Sequence, residues 1–197
     1  MQIVLATHNL HKIREIREML KPLKNLDILS LSNFPDYQLP EETGSTFEEN
    51  AAIKAEHAAK ALNNWVIADD SGLVVPTLGG QPGVISKRYA GPDATDRENR
   101  LKLLEDMAKL SDIDRSAYFE CCLVIASPEG IKKTVSGLCE GTILEEERGR
   151  NGFGYDPLFM KNDYDKAFAE LDESTKNRIS HRRKAIEKLL TTLETLR

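Results

Sequence analysis

Cysteine is scarce in this chain: three among 197 residues, two of them adjacent. So few and so clustered, they give no disulfide framework. Cys121 and Cys122 are neighbours on what reads as a strand, so they point to opposite faces and cannot cage a metal. A basic surplus is missing too. There are 32 acids against 27 bases, a formal net charge of −5, whereas proteins that coat nucleic acid usually carry excess positive charge. Long apolar runs are absent: Leu123 to Ala126 is far short of the roughly 20 residues a membrane span needs. Charged residues arrive within about the first dozen positions, which leaves no signal-peptide apolar region. These absences predict a soluble, cytoplasmic protein of a reducing compartment, with no membrane and no nucleic acid as partner. What is present, 40% apolar and 30% charged residues, suffices for a single globular domain over 1–197.

The order of elements indicates an α/β class. Gln2 to Ala6 reads as a short strand that stops at Thr7-His8-Asn9. A helical pattern follows, with Leu10, Ile13, Ile16, Met19 and Leu20 on one stripe and Arg14, Glu15, Arg17 and Glu18 outside it. Asp27 to Leu31 reads as a second strand, and strand–helix–strand implies a parallel pair. Thr46 and Glu49 have capping-box spacing before a helix over 47–62. Trp65 to Ala68 reads as a buried strand ending in Asp69-Asp70-Ser71-Gly72. Leu78 to Gly83 is loop. Thr95 and Glu98 open a further helix to about Leu110. Ala117 to Ala126 and Ile131 to Leu144 form a hairpin across Ser127-Pro128-Glu129-Gly130, so the sheet is mixed. A glycine-rich loop, Gly149 to Pro157, precedes a C-terminal helix from about Thr175.

Several segments could carry chemistry. Thr7-His8-Asn9-Leu10-His11-Lys12 joins a strand to a helix start, where ligands bind in open α/β sheets and where helix N–H groups favour phosphate. Asn9 could equally be a plain N-cap and Lys12 a solvated lysine. No GxxxxGK[ST] loop exists, which counts against P-loop chemistry. Glu41-Glu42 and Asp69-Asp70 offer the carboxylates magnesium prefers, although paired acids also decorate loops and caps. Phe153-Gly154-Tyr155-Asp156 could stack on a base or plug the core. Lys176, Arg178, His181, Arg182, Arg183 and Lys184 form a basic stretch that, taken alone, reads as a solvated face.

The order of these segments is more specific than any one of them. Thr7-x-Asn9-x-x-Lys12, Glu41-Glu42-Thr43-Gly44, Asp69-Asp70-Ser71-Gly72-Leu73, Leu78-Gly79-Gly80-Gln81-Pro82-Gly83, Arg88-Tyr89-x-Gly91, Phe153-Gly154-Tyr155-Asp156-Pro157 and Ser180-His181-Arg182 together resemble the inosine triphosphate pyrophosphatase family, the dITP/XTP pyrophosphatases. The match runs from residue 2 to about residue 190. The resemblance implies an elongated mixed β-sheet with flanking helices, two lobes around a central cleft, and a homodimer. It implies hydrolysis of (d)ITP and XTP to the monophosphate and pyrophosphate with Mg2+, clearing deaminated purines from the nucleotide pool.

Carried over by position, Thr7, His8, Asn9, Leu10, His11 and Lys12 become a triphosphate-binding loop. Asp70 becomes the metal-bound acid and general base, with Glu41 as second metal ligand. Ser71 and Lys54 would touch substrate, Phe153, Gly154, Tyr155 and Asp156 would wall the base pocket, and Lys176 would reach the nucleotide. His181 and Arg182 would read the base. The family usually has glycine where this chain has His8. Two competing readings are a pyrophosphatase for another modified or ordinary nucleotide and a nucleic-acid-binding module built on the basic C-terminal stretch.

Overall fold

The computed structural model describes residues 1–108 and 115–195. Its regular elements are β1 (Gln2–Leu5), α1 (Leu10–Leu20), β2 (Asp27–Ser30), α2 (Phe47–Leu62), β3 (Trp65–Val74), α3 (Asp96–Met107), β4 (Ser116–Ser127), β5 (Gly130–Ile143), β6 (Phe159–Lys161), α4 (Glu173–Ile179) and α5 (His181–Thr195). The six strands form one sheet in the order β2-β1-β3-β4-β5-β6. β1 pairs in parallel with β2 and with β3, and β5 pairs antiparallel with β6. A two-residue turn joins β4 to β5, a connection only antiparallel neighbours can use. The sheet is therefore mixed, as the hairpin signal predicts. The proposed end of the third helix at Leu110 lies outside the described residues.

The chain divides into two units. The first comprises Met1–Asp70, Cys121–Gly137 and Arg182–Arg197. Here α1 buries Ile13, Ile16, Met19 and Leu20, the spacing of one helical face. They pack with Ile3, Leu5, Ile67, Cys121, Leu123, Ile186 and Leu189 in one core. Two residues of α1 depart from the expected stripe: Leu10 is 74% exposed, while Glu15 is buried. Leu10 is the first residue of the helix and has no preceding turn to lie against. Glu15 is drawn inward by an ion pair with Arg182.

The second unit comprises Ser71–Glu120 and Leu138–His181. Its core joins Leu73, Leu103, Met107, Tyr155, Leu158 and an aromatic cluster. Phe119 meets Phe159 edge-on at 4.7 Å, and Phe159 meets Phe168 at 5.0 Å, the offset geometry aromatic rings prefer. Thr95 and Glu98 form the expected reciprocal cap at the start of α3.

Three sequence readings need correction. β3 does not end at Ala68 but runs on through Asp69 and Asp70 to Val74, because the Asp69 charge is matched inside the protein. The C-terminal helix is two helices, broken at Ser180, which is extended (φ −72°, ψ 162°) and stands where an N-cap serine is favoured. At α2, Thr46 accepts from the Glu49 N–H, but Glu49 turns to the Ser45 N–H and hydroxyl instead of Thr46, so the cap is only half a box.

Candidate active site

Successive residues of a strand face opposite sides, and the first unit uses this on β3. Asp69 and Asp70 are both buried yet have different partners. Asp69 pairs with Lys12, accepts from Arg182 Nε at 2.9 Å and from the Cys121 thiol at 3.1 Å. Arg182 is 1% exposed and also pairs with Glu15. Burial would raise the Asp69 pKa, but Arg182 and Lys12 overcome it and hold the carboxyl well below the usual range. The same burial and the nearby Asp69 charge push the Cys121 thiol well up, which keeps it protonated and unreactive.

Asp70 has the opposite balance. Burial raises its pKa above the ordinary carboxylate value, and Lys54 and Lys12 only partly offset this. Its Oδ1 lies 3.6 Å from Lys54 Nζ. Its Oδ2 is buried with no hydrogen-bond partner among the described residues. A buried carboxylate oxygen left so is costly unless something else contacts it.

Lys54 projects from α2 and donates to Glu42 Oε1 at 2.6 Å and to the Asp69 carbonyl oxygen at 2.8 Å. Burial disfavours its charge, but Asp70 and Glu42 outweigh that and raise its pKa. The segment carrying Glu42 is pinned by Asn50, whose Oδ1 accepts the Gly44 N–H at 2.8 Å. Gly44 fits there because a Cβ would lie 2.7 Å from that oxygen. Glu42 is half-buried; Glu41 is exposed.

The segment before α1 is a well-made helix start. Thr7, buried, accepts from the Asn9 N–H, and Asn9 accepts from the His11 and Lys12 N–H groups. His8, Leu10 and His11 are exposed. Among the described non-glycine residues only Asn63 and Asp163 have positive φ, so the backbone conformation at His8 is one that a side-chain-bearing residue adopts without strain.

The second unit carries the other expected residues. Asp156 is buried and accepts from the Phe153 N–H at 2.9 Å and from Lys176 Nζ at 2.5 Å. Lys176 Nζ also stands 4.5 Å from the Phe153 ring centroid, within cation–π range. Gly152, at φ +76°, is required: a Cβ would lie 2.0 Å from Asp156 Oδ2. Tyr155 is buried and donates to the Ser86 carbonyl at 2.8 Å. His181 is buried and stacks on Phe119, 4.9 Å between centroids. Ser71 is half-buried on β3.

The structure thus groups Lys12, Lys54 and Asp70 in the first unit and Phe153, Asp156 and Lys176 in the second. It does not bring Glu41 to Asp70 through Lys54; Glu42 has that place. The basic C-terminal stretch is only partly a solvated face: Lys176, His181 and Arg182 are buried, while Arg178 and Lys184 are exposed. Sequence reasoning missed Glu15 and the structural part of Asp69. One signal was available: Glu15 lies three positions after Lys12, on a neighbouring helical face, and both serve the same charged cluster.

Comparison with known proteins gives the family. The Ham1 family matches residues 3–192. A dITP/XTP pyrophosphatase of Protochlamydia amoebophila is 64% identical over the full length of both chains. That of Chlamydia abortus is 54% identical over all of this chain and 96% of its own. Among solved structures, the Staphylococcus aureus Ham1 protein is 43% identical with a TM-score of 0.88 over 100% of both chains. A HAM1 protein from Coxiella burnetii is 44% identical with a TM-score of 0.90 over 98% of each. With one family spanning nearly every residue, and two solved folds superposing on this mixed sheet, the chain belongs to the Ham1 family.

Proposed function

We propose that this protein hydrolyses deaminated purine nucleoside triphosphates, ITP, dITP and XTP, to the monophosphate and pyrophosphate. The relatives named dITP/XTP pyrophosphatase support this, as does the charge pattern around Asp70. The carrying observation is the buried Asp70 Oδ2, which has no hydrogen-bond partner among the described residues. A buried acid with one oxygen left open and a raised pKa is suited to take a proton from an attacking water.

Lys12 and Lys54, at the positive end of the α1 dipole and beside it, supply positive charge for the triphosphate. The base falls to Phe153 and its loop, with Lys176 beside the ring. His181 and Arg182 remain the proposed readers of the 6-oxo group, and Ser71 a substrate contact. Arg182 Nε and Nη1 already serve Asp69 and Glu15, so the residue also anchors the site.

Magnesium fits these residues. No group of three His, Cys, Asp or Glu able to hold a metal occurs among the described residues, and magnesium typically takes one or two carboxylates with waters and substrate phosphate. Asp70 and Glu42, in preference to Glu41, would hold it. Bound there it would neutralise phosphate charge. Lys54 bridges the same two carboxylates in this structure. Homodimeric assembly and a cytoplasmic location belong to the same reading, and no helix of the described residues is long and apolar enough to cross a membrane. Burial of Lys176, His181 and Arg182 counts against a nucleic-acid surface on that stretch.

The test is a panel of ITP, XTP, GTP, ATP and dUTP with magnesium, assayed separately for pyrophosphate and orthophosphate. Pyrophosphate release favouring ITP and XTP is expected. Orthophosphate as the primary product would remove the pyrophosphatase reading.

A further inference from the structure

Gly154 sits at the tip of the Phe153–Asp156 loop with φ +60°, and both sides of its position are gripped from α3. Its N–H donates to Asp96 Oδ2 at 2.8 Å, and its carbonyl oxygen accepts from Arg100 Nη1 at 2.9 Å. Asp96 and Arg100 are four residues apart, one turn of α3, and so project from one face. Arg100 does not swing freely. Its Nε and Nη2 hold the two carboxylate oxygens of Glu147 at 2.8 and 3.3 Å, a fork that fixes the guanidinium plane. The same side chain therefore ties Glu147, two residues before the glycine-rich segment, to Gly154 within it.

A loop with positive φ at Gly149, Gly152 and Gly154 has several backbone conformations open to it. The Asp156 side chain fixes Phe153 from inside the loop, and α3 fixes Gly154 from outside. We propose that Asp96 and Arg100 are positioning residues that set the orientation of the Phe153 ring and thereby the affinity for the purine base. This rests on the reading that Phe153 stacks on the base. Neither residue needs to touch the nucleotide. With the grip released, the loop would sample other conformations before each binding event, lowering apparent affinity by the fraction of time it is competent. The bound complex, once formed, would react at the same rate.

The experiment is steady-state kinetics with ITP on Arg100→Gln, Asp96→Ala, Asp96→Asn, Arg97→Gln and Phe153→Ala, each checked for thermal unfolding. Arg100→Gln and Asp96→Ala should each raise KM about threefold to tenfold, the range of one hydrogen bond, with kcat within about twofold. Asp96→Asn keeps an acceptor oxygen for the Gly154 N–H and should restore KM, which a merely structural loss would not predict. Arg97, exposed on the same helix, should leave both constants at the parental values. KM unchanged in Arg100→Gln and Asp96→Ala while Phe153→Ala raises it would overturn the positioning role alone. KM unchanged in Phe153→Ala as well would overturn the base-stacking reading, and the positioning role with it. A fall in kcat without a rise in KM would also overturn it.

Discussion

The Asp69 carboxylate and the Arg182 guanidinium form a fully buried ion pair, Oδ2 to Nε 2.9 Å, between β3 and the first turn of α5. Lys12 of α1 shares the same carboxylate, and Glu15 of α1 shares the same guanidinium. Buried pairs are expensive to desolvate and more expensive to break. What this cluster secures is position: the backbone that carries Asp70 is held from two helices, so the neighbouring acid can stay under-bonded without the strand moving to relieve it.

Asp69→Asn should cost about 3–5 kcal/mol, because it leaves Arg182 and Lys12 short of a buried counter-charge. Asp69 is depressed in the folded state. Its stabilising contribution is therefore present above its unfolded pKa, about 3.9, and is lost as pH falls through its lower folded value. Urea melts from pH 7 downward should show both the loss and a flatter acid limb. A variant as stable as the parent at pH 7 would mean the cluster does not hold the fold.

Asp70→Asn should do two opposite things. Catalysis should fall by about 10²–10⁴ in kcat, the range for losing a general base. Metal-free stability at neutral pH should rise. The folded pKa of Asp70 is raised, so its favourable contribution is complete below the unfolded value and is lost as pH climbs through the folded one. Asparagine removes the cost of that buried charge. Thermal melts in chelator should show the variant above the parent at pH 7.5, converging toward pH 4. An active variant, or one with a lower melting temperature at pH 7.5, contradicts the corresponding half.

Glu42→Gln should raise the magnesium concentration for half-maximal rate about tenfold or more, in the range seen when a metal site loses a supporting group. Glu41→Gln should leave it within twofold. The contrast follows from Glu42 being hydrogen-bonded to Lys54 beside Asp70 while Glu41 is exposed. The reverse pattern would give the role back to Glu41.

Phe153→Ala should lower kcat/KM for ITP and for ATP together, by about fivefold to a hundredfold, since stacking contributes roughly 1–3 kcal/mol per base and does not distinguish purines. The ITP-to-ATP ratio should stay near the parental one. A ratio that collapses would show Phe153 reading the base edge. Arg182→Ala is a poor probe of base selectivity, because it also removes the partner of Asp69 and Glu15.

Local patterns made much of this fold legible. The α1 stripe apart from Leu10, the Thr95–Glu98 cap and the β4–β5 turn depend on residues a few positions apart, and each is where spacing puts it. Features set by distant partners were not legible. Reading Asp69-Asp70 as a strand end assumes that two charges stop a buried strand; Arg182, 113 residues on, is what lets β3 continue. Spacing alone puts Glu15 outside the buried stripe; the same distant Arg182 draws it in. Lys176, His181 and Arg182 look like a solvated run until Asp156, Phe119 and Asp69 are seen to face them. That Glu42 meets a cation depends on Lys54, a helix away. Around Asp69 and Asp70, which carboxylate answers which cation is a matter of tertiary structure.

The pairing of Asp69 with Arg182 also gives the site a clock. In vectorial synthesis the carboxylate is made long before its guanidinium. At about 5–20 residues per second, the 113 positions between them correspond to roughly 6–23 s. Throughout that interval β1, α1 and α2 are already available, yet Asp69 lacks the buried guanidinium of Arg182. The charge arrangement around Asp70 is thus completed only when α5 arrives. A nascent chain stalled before residue 182 would hold nearly all the named site residues and still lack the pair that keeps them in place.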